Sequence, residues 1–363
     1  MNILLKKIEQ LKAKLNIRMC RVCGFEREIV RGHICDVCRG DIDEILPIIK
    51  ACEKINQEQE NRLGKLYNIF ENISNYSEQI RLAPEDQYGY FWRAYYYEAA
   101  KRYRSAIGDY SKAIQISPGE YLFHFRRGCV YHHFKLYERA ISDFSIALRT
   151  LKCPLAYVKR GKCFEKLKRT DRAILDYSEA LKINERYDDA YNKRANCYSA
   201  LKITDKALVD YNMAIQLNPD EALYHYNRAC LLSDLNKSCE AIEGFTAAIE
   251  LKPTYAGAYN NRGICHVRLG SYDLALADYT EAIGLDNTLE YKLFQYWNRA
   301  HAYCKRGEFE KGIVDFAAVI RLDPKNGGAY YYRGMAYKSL KRHSEARWDY
   351  LKAVELGFNE DAI

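Results

Sequence analysis

Four cysteines near the N-terminus form the pattern in this sequence that most directly indicates chemistry. Cys20 and Cys23 make one Cys-x2-Cys pair, and Cys35 and Cys38 make a second pair after eleven intervening residues. Two thiolate pairs at this separation suit tetrahedral zinc, because each pair can form a knuckle whose backbone amides support the sulfurs. Four thiolates leave no open coordination position, so the pattern predicts one structural Zn²⁺ ion and no catalytic metal.

The segment around these cysteines is basic. Residues 1–40 hold nine Lys or Arg and four acidic residues, and so supply five of the net +8 charges of the chain. Arginines in such a segment could contact the phosphates of DNA or RNA. A solvated basic surface is the favoured interpretation, because no series of aromatic residues for base stacking accompanies them. The possible nucleic-acid contacts are Arg18, Arg21, Arg27, Arg31 and Arg39.

The sequence contains no pattern that is typical of an enzyme. There is no Gly-rich phosphate loop, no nucleophile elbow and no His/carboxylate metal triad, and the eight histidines fall at unrelated points. No apolar run is long enough to cross a bilayer, and residues 1–15 interleave lysines with apolar residues, unlike a secretory signal. With thirteen cysteines and no such signal, we expect a reducing, cytoplasmic location, no membrane contact and no small-molecule substrate.

Most of the remaining chain repeats with a period near 34 residues. A phrase of the form Asp-aromatic-x-x-Ala recurs eight times, with its fifth residue moving in steps of 34, 33, 34, 34, 34, 37 and 34. The step of 37 predicts a three-residue insertion around residues 287–292. The repeated fifth positions are Ala113, Ala147, Ala180, Ala214, Ala248, Ala282, Val319 and Ala353.

Each repeat predicts two antiparallel helices, because both of its phrases place apolar and small residues at helical spacing around a short polar break. Gly128, Gly161, Gly263 and Gly334, or an alanine, stand where the first helix must approach the second closely. The residue before this small residue is always arginine, and seven of the second helices carry an aspartate before their aromatic residue. We expect these opposite charges to pair, and the alternative, a binding ladder of arginines, is disfavoured because aspartates in the same phase would cancel it. The arginines are Arg93, Arg127, Arg160, Arg194, Arg228, Arg262, Arg299 and Arg333, and the aspartates are Asp109, Asp143, Asp176, Asp210, Asp278, Asp315 and Asp349, with Gly244 as the exception.

This pattern resembles the tetratricopeptide repeat (TPR) over about three-quarters of the chain, and the cysteine segment resembles a zinc ribbon. The TPR resemblance implies an all-α fold, a right-handed superhelix (α-solenoid) of eight repeats after one degenerate capping unit. The predicted organisation is an amphipathic helix over 1–17, the four-cysteine zinc module over 18–40, a helical connector with the degenerate repeat over 41–86, and the eight units over 87–360. The unit bounds are about 87–120, 121–153, 154–187, 188–221, 222–255, 256–289, 293–326 and 327–360.

The resemblance also implies where a partner would bind, since first helices line the concave groove of TPR proteins. The positions flanking the Arg-small pair are aromatic at both ends of the groove and rich in lysine and asparagine in the middle. Asparagines can grip a peptide backbone, lysines can meet acidic side chains, and aromatic side chains exposed in a concavity usually mark contact. The candidate groove residues are Phe91, Tyr95, Phe125, Lys159, Lys162, Asn192, Lys193, Asn196, Tyr226, Asn227, Asn260, Asn261, Trp297, His301 and Tyr331.

Two functional hypotheses follow from these features. The first is a non-catalytic scaffold or adaptor that binds a partner protein or peptide segment in the groove, with the zinc module as a second contact. The alternative is a nucleic-acid-associated factor, whose basic zinc module contacts DNA or RNA while the repeats recruit a protein. The charge on residues 1–40 permits the alternative without requiring it.

Overall fold

The computed structural model describes residues 65–285 and 288–358, and every regular element in those ranges is a helix. The chain divides into two compact units, one ending at Val130 and the other beginning at Tyr131. The helices are α1 (65–82), α2 (Gln87–Ala99), α3 (Tyr103–Ile116), α4 (Tyr121–His133), α5 (Tyr137–Thr150), α6 (Pro154–Lys166), α7 (Thr170–Ile183), α8 (Asp188–Ala200), α9 (Thr204–Leu217), α10 (Ala222–Asp234), α11 (Ser238–Leu251), α12 (Ala256–Arg268), α13 (Tyr272–Leu285), α14 (Leu289–Arg306), α15 (Phe309–Leu322), α16 (Gly327–Ser339) and α17 (His343–Glu355).

The helices from α2 onward alternate between the first and second helix of a repeat. Each first helix ends where one residue adopts a left-handed conformation, and this residue falls at the same point of every repeat. Gly270 and Gly307 fill two of these positions, with φ of 75° and 89°. The other six have φ between 57° and 61° and are Lys101, Lys135, Lys168, Lys202, Asn236 and Lys341. A left-handed residue ends a helix by turning the chain, so the second helix can run back along the first.

Close approach of the two helices in a repeat depends on the small residue of the first. A Cβ added at Gly161 would lie 2.8 Å from Cε1 of Tyr177, and one at Gly263 would lie 2.7 Å from Cε1 of Tyr279. Both tyrosine side chains are buried in the contact. The predicted role of the small residues is therefore confirmed: they make room for an aromatic ring of the second helix.

The arginine and aspartate series pair within repeats, as predicted. In six repeats the guanidinium donates through Nε and Nη2 to both carboxylate oxygens, at 2.7–2.9 Å. The third nitrogen reaches the preceding repeat: Arg194 Nη1 donates to Ser178 Oγ at 3.0 Å, and Arg262 Nη1 donates to Thr246 Oγ1 at the same distance. The six pairs are Arg93–Asp109, Arg160–Asp176, Arg194–Asp210, Arg262–Asp278, Arg299–Asp315 and Arg333–Asp349.

Two departures from the repeat have visible structural consequences. Because Gly244 supplies no carboxylate, Arg228 donates only to Asn212 Oδ1, at 2.9 Å, and its Nε is buried without an acceptor in the described part of the chain. The three-residue insertion coincides with a longer first helix, since α14 has 18 residues where α12 has 13.

Removing one aspartate of a pair should destabilise the array. Asp210→Ala leaves the guanidinium of Arg194, whose side chain is only 19% exposed, without its carboxylate. We expect the free energy of unfolding, measured by urea denaturation followed by circular dichroism, to fall by about 2–4 kcal/mol.

Asp220→Ala, at an exposed loop position, is the matched control and should change the free energy of unfolding by less than about 0.5 kcal/mol. Arg194→Met together with Asp210→Ala should be no less stable than Asp210→Ala alone, because no unpaired charge then remains. Equal losses for Asp210→Ala and Asp220→Ala would show that the pair contributes nothing.

Candidate protein-binding face

Five first helices of the unit that begins at Tyr131 are joined side by side through polar side chains. Lys162 on α6 forms an ion pair of 2.9 Å with Asp189 on α8. Asn227 on α10 donates to Asn192 on α8 at 2.9 Å. We call the surface formed by α6, α8, α10, α12 and α14 the first-helix face.

The bonds continue from α10 to α14. Asn261 on α12 donates to the hydroxyl of Tyr226 on α10 at 3.1 Å. Asn298 on α14 donates to Oδ1 of Asn260 on α12 at 3.0 Å. The first-helix face is therefore held together by its own amide groups.

The asparagines predicted to grip a peptide backbone are largely occupied by these bonds. Asn196 accepts from the Tyr211 hydroxyl at 2.7 Å, and Asn260 donates to Asn261 at 3.1 Å. Asn192 is fully buried, and its Nδ2 has no acceptor among the described residues. In this structure the amides connect neighbouring repeats, and their side chains offer few free donors or acceptors to a ligand.

The lysines of the first-helix face differ in whether the chain neutralises them. Lys162 is paired with Asp189, whereas Lys159 on α6 and Lys193 on α8 have no ion-pair or hydrogen-bond partner in the ranges described. All three side chains are half-buried. The pKa of His132 is lowered by burial first and then by the positive charges of Lys159, Lys162 and Lys166. Of these lysines, Lys162 alone forms an ion pair among the described residues.

The aromatic candidates of the second unit are half-buried, whereas the sequence predicted that they would be exposed in the groove. The Tyr226 ring stacks on Tyr255 with centroids 4.7 Å apart. Trp297 packs on His301 at 5.0 Å, and Tyr331 packs on Phe358 at 4.9 Å. Each ring therefore has a packing role within the repeats, and only part of it is accessible to a ligand.

The candidates of the first unit separate into core and surface. Phe91 and Phe125 are buried, at 2% and 8% exposure, so their rings lie outside the accessible surface. Tyr95 is exposed, and the guanidinium of Arg126 lies 5.2 Å from its ring centroid. Of the three, only Tyr95 is placed to touch a ligand.

Several predicted site residues lie outside the described residues. They are the zinc ligands Cys20, Cys23, Cys35 and Cys38 and the arginines Arg18, Arg21, Arg27, Arg31 and Arg39. Within 65–285 and 288–358, no group of three or more His, Cys, Asp or Glu side chains is arranged to hold a metal ion. None of the helices in these ranges has the length and apolar character needed to span a bilayer.

Two carboxylates at the start of α8 organise the face and were missed by the sequence reasoning. Asp188 accepts from Asn218 Nδ2 at 2.9 Å and from the Tyr224 hydroxyl at 3.0 Å, while Asp189 holds Lys162. The first two residues of α8 are both acidic, but this signal was weak, because the acidic pairs Glu85–Asp86 and Asp220–Glu221 directly precede α2 and α10. The partners of Asp188 and Asp189 stand 27 to 36 residues away, in neighbouring repeats.

Comparison with known proteins agrees with the helix pairs. Tetratricopeptide-repeat family models match residues 155–187, 188–221, 226–289 and 298–360. The chain belongs to the tetratricopeptide-repeat family. Neither the zinc module nor the nucleic-acid alternative gains support from these matches.

Relatives share only part of their length with this chain. Tetratricopeptide repeat protein 12 of Homo sapiens is 37% identical over 87 residues, which make up 24% of this chain and 12% of that protein. DnaJ homolog subfamily C member 7 of Mus musculus is 33% identical over 87 residues, or 24% of this chain and 18% of that protein. The chain thus spans less than a fifth of the length of these curated relatives.

Solved structures show the same fold at low sequence identity. The C-terminal part of a TPR repeat-containing protein from Cytophaga hutchinsonii has a TM-score of 0.55 at 18% identity, covering 66% of this chain and 97% of that one. A tetratricopeptide repeat protein from Parabacteroides merdae has a TM-score of 0.52 at 18% identity, covering 74% of this chain and 98% of that one. These likenesses establish a fold of stacked helix pairs.

The burial of His301 should make stability sensitive to acid. Burial, with a smaller contribution from Lys305, lowers the pKa of His301 to about 4. The unfolded chain binds this proton near pH 6.5, so stability is lost as the pH falls from 6.5 towards 4, by up to about 3 kcal/mol. We expect His301→Phe to reduce the fall in the urea midpoint between pH 7 and pH 4.

The control for this experiment is His343→Phe, at an exposed position at the start of α17. It should leave the pH dependence of the urea midpoint as it is in the unsubstituted chain. If His301→Phe and the unsubstituted chain lose stability in parallel, the neutral ring of His301 is not a source of the acid sensitivity.

Proposed function

We propose that this chain is a non-catalytic protein-interaction scaffold whose first-helix face binds an acidic segment of a partner protein. The observation that carries the proposal is the pair of unneutralised lysines, Lys159 and Lys193, on adjacent first helices. A partner carboxylate can neutralise them without displacing an existing ion pair. Lys162 is already paired with Asp189, so it is not free to bind a partner carboxylate.

The electrostatic surroundings support an acidic ligand. Burial lowers the pKa of His132, and the positive charges of Lys159, Lys162 and Lys166 on α6 lower it further. Such a field steers acidic partners towards the face and raises the rate of association more than the affinity. The partner segment would lie across α6 and α8, with the edges of half-buried rings such as Tyr226 extending the contact.

Charge reversal of the two free lysines tests the proposal. A fluorescein-labelled 20-residue peptide rich in Glu and Asp serves as the probe, with a peptide of the same length rich in Lys as the comparison. We expect Lys159→Glu together with Lys193→Glu to weaken binding of the acidic peptide at least about tenfold in fluorescence anisotropy. Raising the salt concentration should weaken binding to the unsubstituted chain as well.

The matched control reverses two lysines in the same repeats, Lys168→Glu and Lys202→Glu, at the turns between first and second helices. It makes the same change in net charge at exposed positions. Equal weakening by both double variants would indicate a response to net charge alone and would contradict a defined face.

We also propose that Cys20, Cys23, Cys35 and Cys38 bind one Zn²⁺, which stabilises the N-terminal module as a second contact. The donor set itself supports this, since four thiolates in two Cys-x2-Cys pairs complete a tetrahedral site. We expect elemental analysis of the purified chain to find about one zinc per chain, and Cys20→Ser with Cys35→Ser to abolish it.

The control for zinc is Cys239→Ser, which removes an exposed cysteine of α11 and should leave the zinc content unchanged. Zinc that stays bound in the Cys20→Ser, Cys35→Ser double variant would assign the metal to other residues.

A further inference from the structure

Among the described second helices, α17 presents a stripe of side chains whose counterparts in the preceding repeat are buried. In the preceding repeat, Ile313 and Phe316 of α15 are buried, at 9% and 1% exposure. The first helix of the next repeat covers them, and the Phe316 ring stacks on Tyr332 of α16 with an interplanar angle of 18°. One repeat later the same positions are occupied by Arg347 and Tyr350.

The stripe on α17, which no described helix covers, forms a shallow apolar depression of about 340 Å³. Its floor contains Ala346 and Tyr350, and its far end contains Leu351 and Val354. The last two side chains are 63% and 69% exposed. These four residues share one side of the helix, as positions three and four apart do. We call this stripe the α17 face.

The rim of the α17 face is basic. Lys338, His343 and Arg347 line it, and no acidic side chain does. Lys338 and Arg347 have no ion-pair partner in the ranges described.

The carboxylates of α17 are already used within the chain. Glu345 pairs with Arg342 at 2.7 Å, Glu355 pairs with Lys352 at 2.8 Å, and Asp349 pairs with Arg333. Among the described residues, the carboxylates of this helix therefore leave Lys338 and Arg347 unneutralised.

Arg347 distinguishes the occupants that could cover this stripe. At the equivalent position the other seven repeats have isoleucine or leucine, which suits an apolar cover. A cation in the middle of the stripe would repel the same cation of a second copy meeting it face to face, and it would be buried unpaired under a wholly apolar helix. An acidic side chain on the covering helix removes both costs.

We propose that the α17 face docks an amphipathic helix of a partner protein that carries acidic residues beside its apolar stripe. The helix occupies the place that a further first helix would take, so the surface continues the interface repeated between α15 and α16. This contact is separate from the first-helix face and stands independently of the acidic-segment proposal.

The test uses two labelled helical peptides of 16 residues with the same apolar stripe, taken from the pattern of α16. One carries glutamates at the flanking positions and the other carries lysines. With the full chain, fluorescence anisotropy should show the glutamate peptide binding at least about tenfold more tightly than the lysine peptide. Arg347→Glu should reverse this preference, and Val354→Asp should weaken both peptides, with circular dichroism unchanged.

Two controls locate the binding. Leu175→Asp, which changes an exposed apolar residue of α7, should leave both affinities unchanged. Lys159→Glu with Lys193→Glu should also leave them unchanged, which separates the α17 face from the first-helix face.

Several outcomes would overturn the proposal. One is equal affinity for the two peptides, and another is a preference that Arg347→Glu does not alter. A dimer in sedimentation that Val354→Asp dissociates would assign the face to a second copy. Binding that appears only after deletion of residues 359–363 would assign the face to that acidic segment of the chain itself.

Discussion

In at least five repeats the arginine ties three helices together, and the register of the helix stack depends on this contact. Arg93 lies on α2, donates to both carboxylate oxygens of Asp109 on α3, and donates to Ser77 on α1 at 3.2 Å. The three directions of its planar guanidinium fix the pairing within a repeat and the spacing to the previous one. A buried ion pair adds little net stability compared with apolar packing. Its geometry nevertheless favours one arrangement over the many that alanine-rich helices would allow.

The fifth repeat shows what happens when one part of this contact is lost. Gly244 replaces the aspartate, and a Cβ there would lie 2.9 Å from Cβ of Ala229, so the two helices approach more closely than a larger residue would permit. Asn212 replaces the serine or threonine and becomes the only described acceptor for Arg228. The tyrosine that stands three residues before six other repeat arginines is also missing, since His225 stands where Arg194 has Tyr191. In this repeat the contact between the first and second helix depends on packing of glycine against alanine, whereas in six other repeats an ion pair joins the two helices.

The sequence predicts the repeat, the helix pairs and the Arg–Asp contact because each depends on residues close together in the chain. Helical spacing determines which side chains share a face, and the constant phase of Arg93 and Asp109 brings opposite charges together in every copy. The candidate binding face was less predictable. Asn192 and Asn227 bond to each other, and a ligand backbone would need the same atoms. Residue type alone does not show whether an asparagine bonds to a neighbouring repeat or to a ligand. The distance between successive first helices decides this. Phe91 and Phe125 were predicted on the groove surface but are buried, for a related reason. Helical phase identifies the face on which a ring lies, but how far the ring is buried depends on the neighbouring repeat.

On the first-helix face, the availability of a lysine for a ligand depends on whether a carboxylate of the chain already pairs with it, and the number of lysines alone does not show this. Lys159, Lys162 and Lys193 look equivalent in the sequence, yet only Lys162 meets a carboxylate. Its ion pair joins α6 to α8 and so contributes to structure, at the expense of any affinity for a ligand. The other two have no carboxylate partner among the described residues, and their side chains are half-buried, so a partner carboxylate that pairs with them would be partly shielded from water. A surface of this kind selects its ligand by charge first, and the packed rings around it then restrict which segments fit.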